Sequence, residues 1–294
     1  TANKWSDVAY RNLASALLSK VSTVTKDPNA NPEYVKAIVA SAVNAGVRAT
    51  ELGPTNVANW ELSGEVYREV APLIADASVF SIASYQRATE LAPNNPKYLV
   101  GLARGHLSLV DVITPIAKGE DEEQALQAEK AQEIALQDAS DYLLQAITLK
   151  SDYAEARYYL ALVQERQNKL ADAVASMEIV RASVPADVGV GLQLSLLYLR
   201  QGKNDLAKKE LERIIALAPN FSNAHWYLAS VLESAKDFDG ALNELEIILE
   251  LDPNNETVQK KIDSLKEGQK PIEIIPEPLP TTEEPALPDA PATP

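Results

Sequence analysis

Few residues in this sequence have both a type and a spacing that could support chemistry. His106 and His225 are its two histidines, and neither has a nucleophile or a metal-binding residue at ligand spacing. The acidic run Glu120–Glu123 could hold a divalent cation but lacks the alternating spacing of a calcium loop. Gly189 and Gly191 form half of a phosphate fingerprint, without the strand that should precede it. We therefore predict packing or groove positions for the histidines, a solvated loop and helix start for the acidic run, and no catalytic residue, metal site or cofactor.

Composition narrows the class of protein further. The chain has 294 residues, a net charge of −15 and no cysteine. This acidity argues against a nucleic-acid backbone or an anionic membrane as the main partner, and the missing cysteine excludes disulfides and thiolate metal sites. Alanine and leucine dominate while strand-like alternation is scarce, which predicts an all-α fold. The most apolar long window, residues 98–117, contains Arg104, His106 and Asp111, so we expect that it does not span a membrane.

The elements that position these residues repeat along the chain. Pro185, Pro219 and Pro253 stand 34 residues apart, and each closes a similar run of residues. Small residues recur at two fixed places in the three copies: Ala161, Ser195 and Ala229 at the first, and Ala173, Ala207 and Ala241 at the second. Such a period indicates one supersecondary unit used repeatedly. Small residues let two helices approach closely, and proline marks the end of the second helix.

This pattern resembles the tetratricopeptide repeat family. The first-helix signature of that family, Trp-x2-Leu-Gly-x2-Tyr, is best matched upstream of the three copies, and the second-helix signature follows it. The matching residues are Trp60, Gly64, Tyr67, Ala88 and Pro93, with Ser63 where leucine is expected. The resemblance implies an all-α, right-handed superhelical solenoid of antiparallel helix pairs. It is strong over residues 54–255, weaker over 1–53 and absent from 268–294.

We expect a repeat solenoid over residues 1–267, followed by a proline-rich acidic tail over 268–294. The predicted units are a degenerate first repeat at 1–53 with helices near 3–21 and 33–52, repeats at 54–93, 94–151, 154–187, 188–221 and 222–255, and a cap helix at 255–267. The unit at 94–151 is longer than the period and contains a 24-residue insert. The second half of this insert, with the helix after it, predicts one long helix over 122–149 that projects from the array.

The resemblance also places the binding surface, because first-helix positions 2, 5, 9 and 12 line the concave groove in this family. In the last three repeats these positions are mostly apolar or aromatic: Tyr158, Leu162, Leu192, Leu196, Leu199 and Trp226. The lysines and asparagines of the related clamp for chaperone-tail carboxylates are not supplied. Two interpretations remain open. Either superhelix curvature partly buries these side chains, or they form a groove for an apolar extended segment.

The tail itself contains such a segment. Residues 271–294 include eight prolines, five acidic residues and no basic residue, so they are unsuited to a helix or a central strand and are expected to be extended. We predict that tail residues dock into a groove of the same or a neighbouring molecule. The predicted docking residues are Ile272, Ile274, Ile275, Pro276, Pro278, Leu279 and Pro280.

Together these features predict a non-enzymatic scaffold for protein–protein interaction. The first hypothesis is an exported structural subunit that self-assembles into a filament or tube through repeat stacking and tail docking. Export is suggested because the sequence begins at Thr1 without an initiator methionine; a cytoplasmic location is the alternative. The second hypothesis is a monomeric adaptor that binds a peptide of another protein. The third is the soluble repeat region of a larger membrane protein.

Overall fold

The computed structural model describes residues 6–119 and 121–267, and every regular element in that part of the chain is an α-helix. The helices are α1 Asp7–Val24, α2 Pro32–Leu52, α3 Val57–Glu69, α4 Ala77–Leu91, α5 Pro96–Ala117, α6 Glu122–Leu149, α7 Ala154–Arg166, α8 Leu170–Ser183, α9 Val188–Arg200, α10 Asn204–Leu217, α11 Ser222–Ser234, α12 Phe238–Leu251 and α13 Glu256–Lys266. The chain divides into two compact units, Thr1–Gln167 and Asn168–Pro294, called unit 1 and unit 2 below. The tail residues predicted to dock lie outside the described residues.

Short polar side chains determine where many of these helices begin. Asn31 and Asn95 cap α2 and α5 by accepting backbone N–H groups of the first turn. Pro32 and Pro96 follow them at the first helical position, where a missing N–H does no harm. The first helix, predicted near residue 3, is α1 and begins at Asp7 because Ser6 supplies the cap.

In unit 1, glycines allow neighbouring helices to approach closely. The buried Tyr85 of α4 lies between Gly64 of α3 and Gly101 of α5. A β-carbon added at either glycine would overlap the tyrosine ring. A second cluster of buried side chains joins α1, α2 and α3 and includes Val21, Val39 and Leu62. Gly64, the glycine of the first-helix signature, is therefore required by this packing.

In unit 2, buried alanines and turn residues with positive φ recur at the same places in successive helix pairs. The second helices pack through the small residues Ala173, Ala207 and Ala241, all fully buried. The turns between first and second helices carry one residue with positive φ at the 34-residue period: Asn168 at 59°, Gly202 at 71° and Lys236 at 64°. Glycine and asparagine enter this left-handed region readily, whereas lysine does so with strain.

The insert lengthens both helices of its pair. The first helices α3, α7, α9 and α11 have 13 residues each, but α5 has 22. The second helices α8, α10 and α12 have 14 each, but α6 has 28. The long helix predicted at 122–149 is α6, and it does not extend alone, because α5 continues through Pro115 and runs beside it. Gln132 Nε2 donates a hydrogen bond to Thr114 Oγ1 at 2.7 Å across the two extensions.

Helix α5 is also long and apolar enough, by length and composition, to cross a membrane. Half of its most apolar window is buried inside the structure. The buried residues include Leu99, Leu102 and Leu107, and the helix packs against α4 and α6. The packing of α5 is that of a core helix.

Candidate interaction surfaces

The structure divides the residues predicted to line an apolar groove into two groups. Tyr158, Leu192 and Leu196 are only 8%, 1% and 2% exposed. Leu192 belongs to the core of unit 2, because it packs with residues of α10 and α11 such as Leu211. These three residues are therefore not available as groove lining in this structure. The other three, Leu162, Leu199 and Trp226, are half-buried, and their contact with a partner remains a prediction.

The residues first considered for chemistry occupy structural positions. His225 is buried, with Nδ1 at 2.6 Å from Glu244 Oε2 and Nε2 at 2.8 Å from the carbonyl oxygen of Pro219. His106 lies beside the ring of Tyr142, and burial lowers its pKa, an effect that Asp138 opposes. In the acidic run, Asp121 caps α6 by accepting the Gln124 N–H. Carboxylates at a helix N-terminus are favoured by the helix dipole.

Unit 1 carries a row of paired charges along its first helices. Lys97 Nζ of α5 lies 2.5 Å from Glu61 Oε1 of α3. Further along, Arg104 of α5 lies 3.8 Å from Glu155 of α7, and its guanidinium lies over the Tyr159 ring at 5.2 Å. Arg104 and Glu155 are partly buried, so their mutual attraction is screened less than that of Lys97 and Glu61, since the Lys97 side chain is 51% exposed.

A cleft of about 250 Å³ opens between α1 and α3 at one end of this row. Its lining residues are Arg11, Asn12, Ser15, Ala58, Glu61, Leu62 and Glu65. Burial raises the pKa of Glu65, and the neighbouring charge of Glu61 raises it further. Burial alone would lower the pKa of Lys97, but its hydrogen bond and charge attraction to Glu61 outweigh burial and raise it. Glu61 and Glu65 therefore stand one turn apart on α3, and the positive charges of Arg68, Arg104 and Lys97 offset part of this effect by lowering the pKa of Glu65.

The sequence contained a signal for this charged surface that the groove prediction did not use. Glu61, Glu65, Lys97 and Arg104 occupy, in earlier repeats, the first-helix positions that were examined only in the last three repeats. Applying the same register to the two repeats that contain Gly64 and Ala103 would have found them. The cleft itself has no such signal, because α1 belongs to the degenerate first repeat and lies outside the register.

In unit 2, the corresponding first-helix surface is closed at its C-terminal end by the cap helix α13. Lys261 of α13 and Glu233 of α11 are each 5% exposed and form an ion pair at 2.6 Å. Val258 and Ile262 place the apolar face of α13 in the core of the unit. The cap helix predicted at 255–267 therefore covers the apolar end of the array, as terminal units of repeat proteins do.

Fold and surface together define an all-α protein of stacked helix pairs, whose candidate surfaces lie on the first helices. The model of the tetratricopeptide repeat family matches residues 120–188 and 192–256. Those residues are thus tetratricopeptide repeats. Repeats of this kind are protein-interaction modules.

One curated protein is similar to this chain in sequence. Over 77 residues the chain is 32% identical to the tetratricopeptide repeat domain-containing protein PYG7, chloroplastic, of Arabidopsis thaliana. This match covers 26% of the chain and 26% of that protein, so the chain matches about a quarter of this curated relative.

Two solved structures share the fold. The thermophilic TPR protein TTC0263 of Thermus thermophilus has a TM-score of 0.52 and 16% identity, over 74% of this chain and 98% of that one. The pilF structure of Pseudomonas aeruginosa has a TM-score of 0.54 and 13% identity, over 87% of this chain and 99% of that one. At these identities the likeness concerns the fold alone.

Proposed function

We propose that this chain is a non-enzymatic adaptor, and that the first helices of unit 1 bind an extended segment of another protein. The observation that carries the proposal is the environment of Glu65. Its carboxyl is half-buried in the cleft between α1 and α3, and its pKa is raised by burial and by Glu61. An ionised carboxylate held there opposes folding in the free protein, and a cationic group of a ligand would relieve that repulsion. The favoured ligand is therefore a segment that contains lysine or arginine.

Binding of a selected peptide tests this proposal. Peptides displayed on phage would be selected against the full chain, and we expect the selected sequences to share a lysine or an arginine. The variant Glu65→Gln should weaken binding of such a peptide by about tenfold or more, because a hydrogen bond between charged groups is lost. The exposed Glu129 of α6 supplies the matched control, and Glu129→Gln should bind as the wild type does. Selected sequences without a basic residue, or unchanged binding by Glu65→Gln, would contradict the proposal.

Self-assembly is a second proposal, favoured by the composition of residues 271–294, with eight prolines and several apolar side chains. In this proposal the chain is an exported structural subunit, and its tail locks neighbouring molecules into a filament or tube. Light scattering and electron microscopy of the full chain, compared with a chain lacking 271–294, test it. Large regular particles that are lost with the tail would support it, whereas a monomer at all concentrations would leave the adaptor proposal standing alone.

A further inference from the structure

Two apolar side chains stand exposed along one edge of unit 2, where first helices turn into second helices. We call residues 200–206 and 234–239 the turn edge; they join α9 to α10 and α11 to α12. Leu206, in the first turn of α10, is 40% exposed, and Phe238, at the start of α12, is 46% exposed. Neither belongs to the core cluster of the unit. Successive repeats of a stacked array lie side by side, so both side chains lie on the same edge.

The turn edge also holds a lysine in a strained backbone conformation. Lys236 has a φ of 64°, and the residue one repeat earlier, Gly202, has a φ of 71°. Glycine adopts this left-handed conformation without strain, as lysine does not. Lys236 is exposed, so packing does not account for the choice of lysine. Strain that is kept at an exposed position indicates a function for the side chain.

The cap helix brings the beginning of the tail to this edge. Helices α11 and α13 begin one repeat period apart, at Ser222 and Glu256, so α13 stands where the first helix of a further repeat would stand. The buried ion pair of Lys261 with Glu233, near the end of α11, agrees with this placement. The last described residue, Glu267, follows Glu233 by one period. The chain therefore leaves α13 at the level of the turn between α11 and α12.

The residues that follow have a pattern that suits the turn edge. Residues 271–275 read Pro-Ile-Glu-Ile-Ile. If they are extended, Ile272 and Ile274 share one side and Glu273 takes the other. Neighbouring packed helices lie about 8–10 Å apart, and five extended residues span about 17 Å. Ile272, five residues after the last described one, can therefore reach Phe238 on the neighbouring helix.

Charge and proximity select this segment among the occupants of the turn edge. The tail has no basic residue, and its glutamate suits the exposed lysines of the two turns. The acidic residues of the edge lie at the starts of α10 and α12, where the helix dipole favours them: Asp205, Asp237 and Asp239. A tether of a few residues gives an effective concentration of about millimolar, an advantage that neither the tail of a neighbouring molecule nor another protein has.

We propose that residues 271–275 dock on the turn edge of their own molecule. The isoleucines of this segment cover Phe238 and Leu206, and its glutamate lies beside Lys236. The proposal concerns unit 2 alone and does not rest on the cleft at Glu65. It differs from the self-assembly proposal, in which the tail of one molecule binds its neighbour.

A spin label on the turn edge tests this contact in the full chain. The chain has no cysteine, so one introduced cysteine carries a nitroxide at a chosen place. Asn204→Cys puts the label at the exposed start of α10. Leu217→Cys is the matched control, because Leu217 is 49% exposed at the other end of the same helix. Paramagnetic broadening of the amide signals of 271–275 is measured by NMR, and circular dichroism verifies that each variant keeps its helical content.

We expect the label at position 204, and not the label at 217, to remove most of the intensity of these signals. Adding Ile272→Ser and Ile274→Ser should restore most of it, whereas Leu287→Ser, further along the tail, should restore none. The tether alone would broaden the signals equally in all of these variants, so restored intensity identifies apolar contact. These tail substitutions lie outside the helices, so a changed signal does not come from a changed fold.

The variant Lys236→Gly separates a binding role of this lysine from a structural one. Glycine relieves the strain, so the melting temperature should rise, while part of the tail signal returns. Unchanged broadening in this variant would overturn the contact with Lys236.

Three results overturn the docking as a whole: no broadening from the label at 204, equal broadening from both labels, or broadening that persists in the double isoleucine variant. A fourth is broadening in a mixture of isotope-labelled chains without nitroxide and nitroxide-labelled chains without the isotope. The tail of a neighbouring molecule would then be the occupant.

Discussion

At the scale of single residues, the packing of Tyr85 between two glycines gives a sharp test of the fold. Replacing Gly101 by alanine places a β-carbon against the buried ring of Tyr85, which cannot move without disturbing α3 on its other side. We expect Gly101→Ala to lower the free energy of unfolding by about 1–3 kcal/mol, the usual effect of overpacking. Urea unfolding followed by circular dichroism measures this loss.

Gly46 of α2 provides the control, because a β-carbon there meets only Ser63 Cα at 3.8 Å, an ordinary contact. Gly46→Ala should be neutral or stabilising by about 0.4–1 kcal/mol, since alanine restricts the unfolded chain and favours the helix. Equal losses for both variants would show that the effect is general to glycines in helices and does not arise from Tyr85.

The carboxyl of Glu65 gives a pH-dependent prediction at the same scale. Burial and then Glu61 raise its pKa in the folded protein, while in the unfolded chain it has an ordinary value. At pH values between these two pKa values, the folded state binds more protons than the unfolded state does. The neutral carboxyl therefore makes its full contribution to stability below the pKa of the unfolded state. That contribution is lost as the pH rises through the pKa of the folded state. Glu65→Gln should therefore be more stable than the wild type at pH 7, by less than about 1 kcal/mol.

The stability difference between Glu65→Gln and the wild type should disappear below about pH 4, where the wild-type carboxyl is protonated in both states. Urea unfolding at a series of pH values measures it, with Glu129→Gln as the exposed control. A difference that persists at low pH would mean that the introduced glutamine packs differently from the carboxyl, and that ionisation is not the cause.

Residue identities also show what the sequence could predict. The 34-residue period located the buried small residues Ala173, Ala207 and Ala241, because close helix packing tolerates nothing larger at these places. The period could not separate Leu196, which is buried, from Leu199, which is half-buried. Both lie on the same helix and are the same residue type, and their exposure depends on which neighbouring helices cover them.

At the scale of elements, the cap helix α13 depends on a buried ion pair. Removing one partner leaves an unpaired buried charge, which in protein interiors costs about 3–5 kcal/mol. Lys261→Met leaves the Glu233 carboxylate buried without its partner, so we expect α13 to detach from the rest of unit 2. The measured loss of unfolding free energy then cannot exceed the free energy with which α13 docks. Hydrogen exchange of the amides in 256–266 should become faster, while α9 and α10 change little.

The exposed neighbour of Lys261 is the matched control, since Lys260 pairs with Glu256 at 3.6 Å with both side chains in solvent. Lys260→Met should leave the exchange of α13 nearly unchanged. The double variant Lys261→Met with Glu233→Leu should recover most of the protection, because it removes both buried charges. Fast exchange in the double variant would show that apolar contacts alone cannot hold the helix.

The insert shows the limit of prediction at this scale. Both ends of α6 were predicted, because the acidic start and the return of the register are visible in the sequence. The extension of α5 was not, since Pro115 and the polar residues after it indicate that a helix stops. In the structure Pro115 lies in the last turn of α5, and α6 packs beside α5 there. The packing of α6 against α5 thus outweighs the local signal for a helix end at Pro115. The 34-residue period of the sequence gives no indication of this packing.

At the scale of the whole molecule, the cores of the two units permit a test of how far folding is local. The unfolding free energy of a stacked-repeat protein is close to the sum of the intrinsic stability of each repeat and the interaction energy between neighbouring repeats. The core cluster of unit 2 lies entirely between Leu192 and Ile262, within α9–α13. A fragment of residues 188–267 therefore contains every member of that cluster, two complete helix pairs and the cap helix.

We expect this fragment to fold by itself, with a cooperative thermal transition and a stability of a few kcal/mol, because it keeps every member of this cluster although α9 loses its contacts with α8. Two helix pairs are near the minimum for a stacked array, so the cap should be decisive. A shorter fragment, 188–253, lacks Val258 and Ile262 and should lose the cooperative transition. Circular dichroism melts of both fragments measure this. If the longer fragment is unfolded, the core of unit 2 needs residues before α9, and folding in this chain is less local than its repeats suggest.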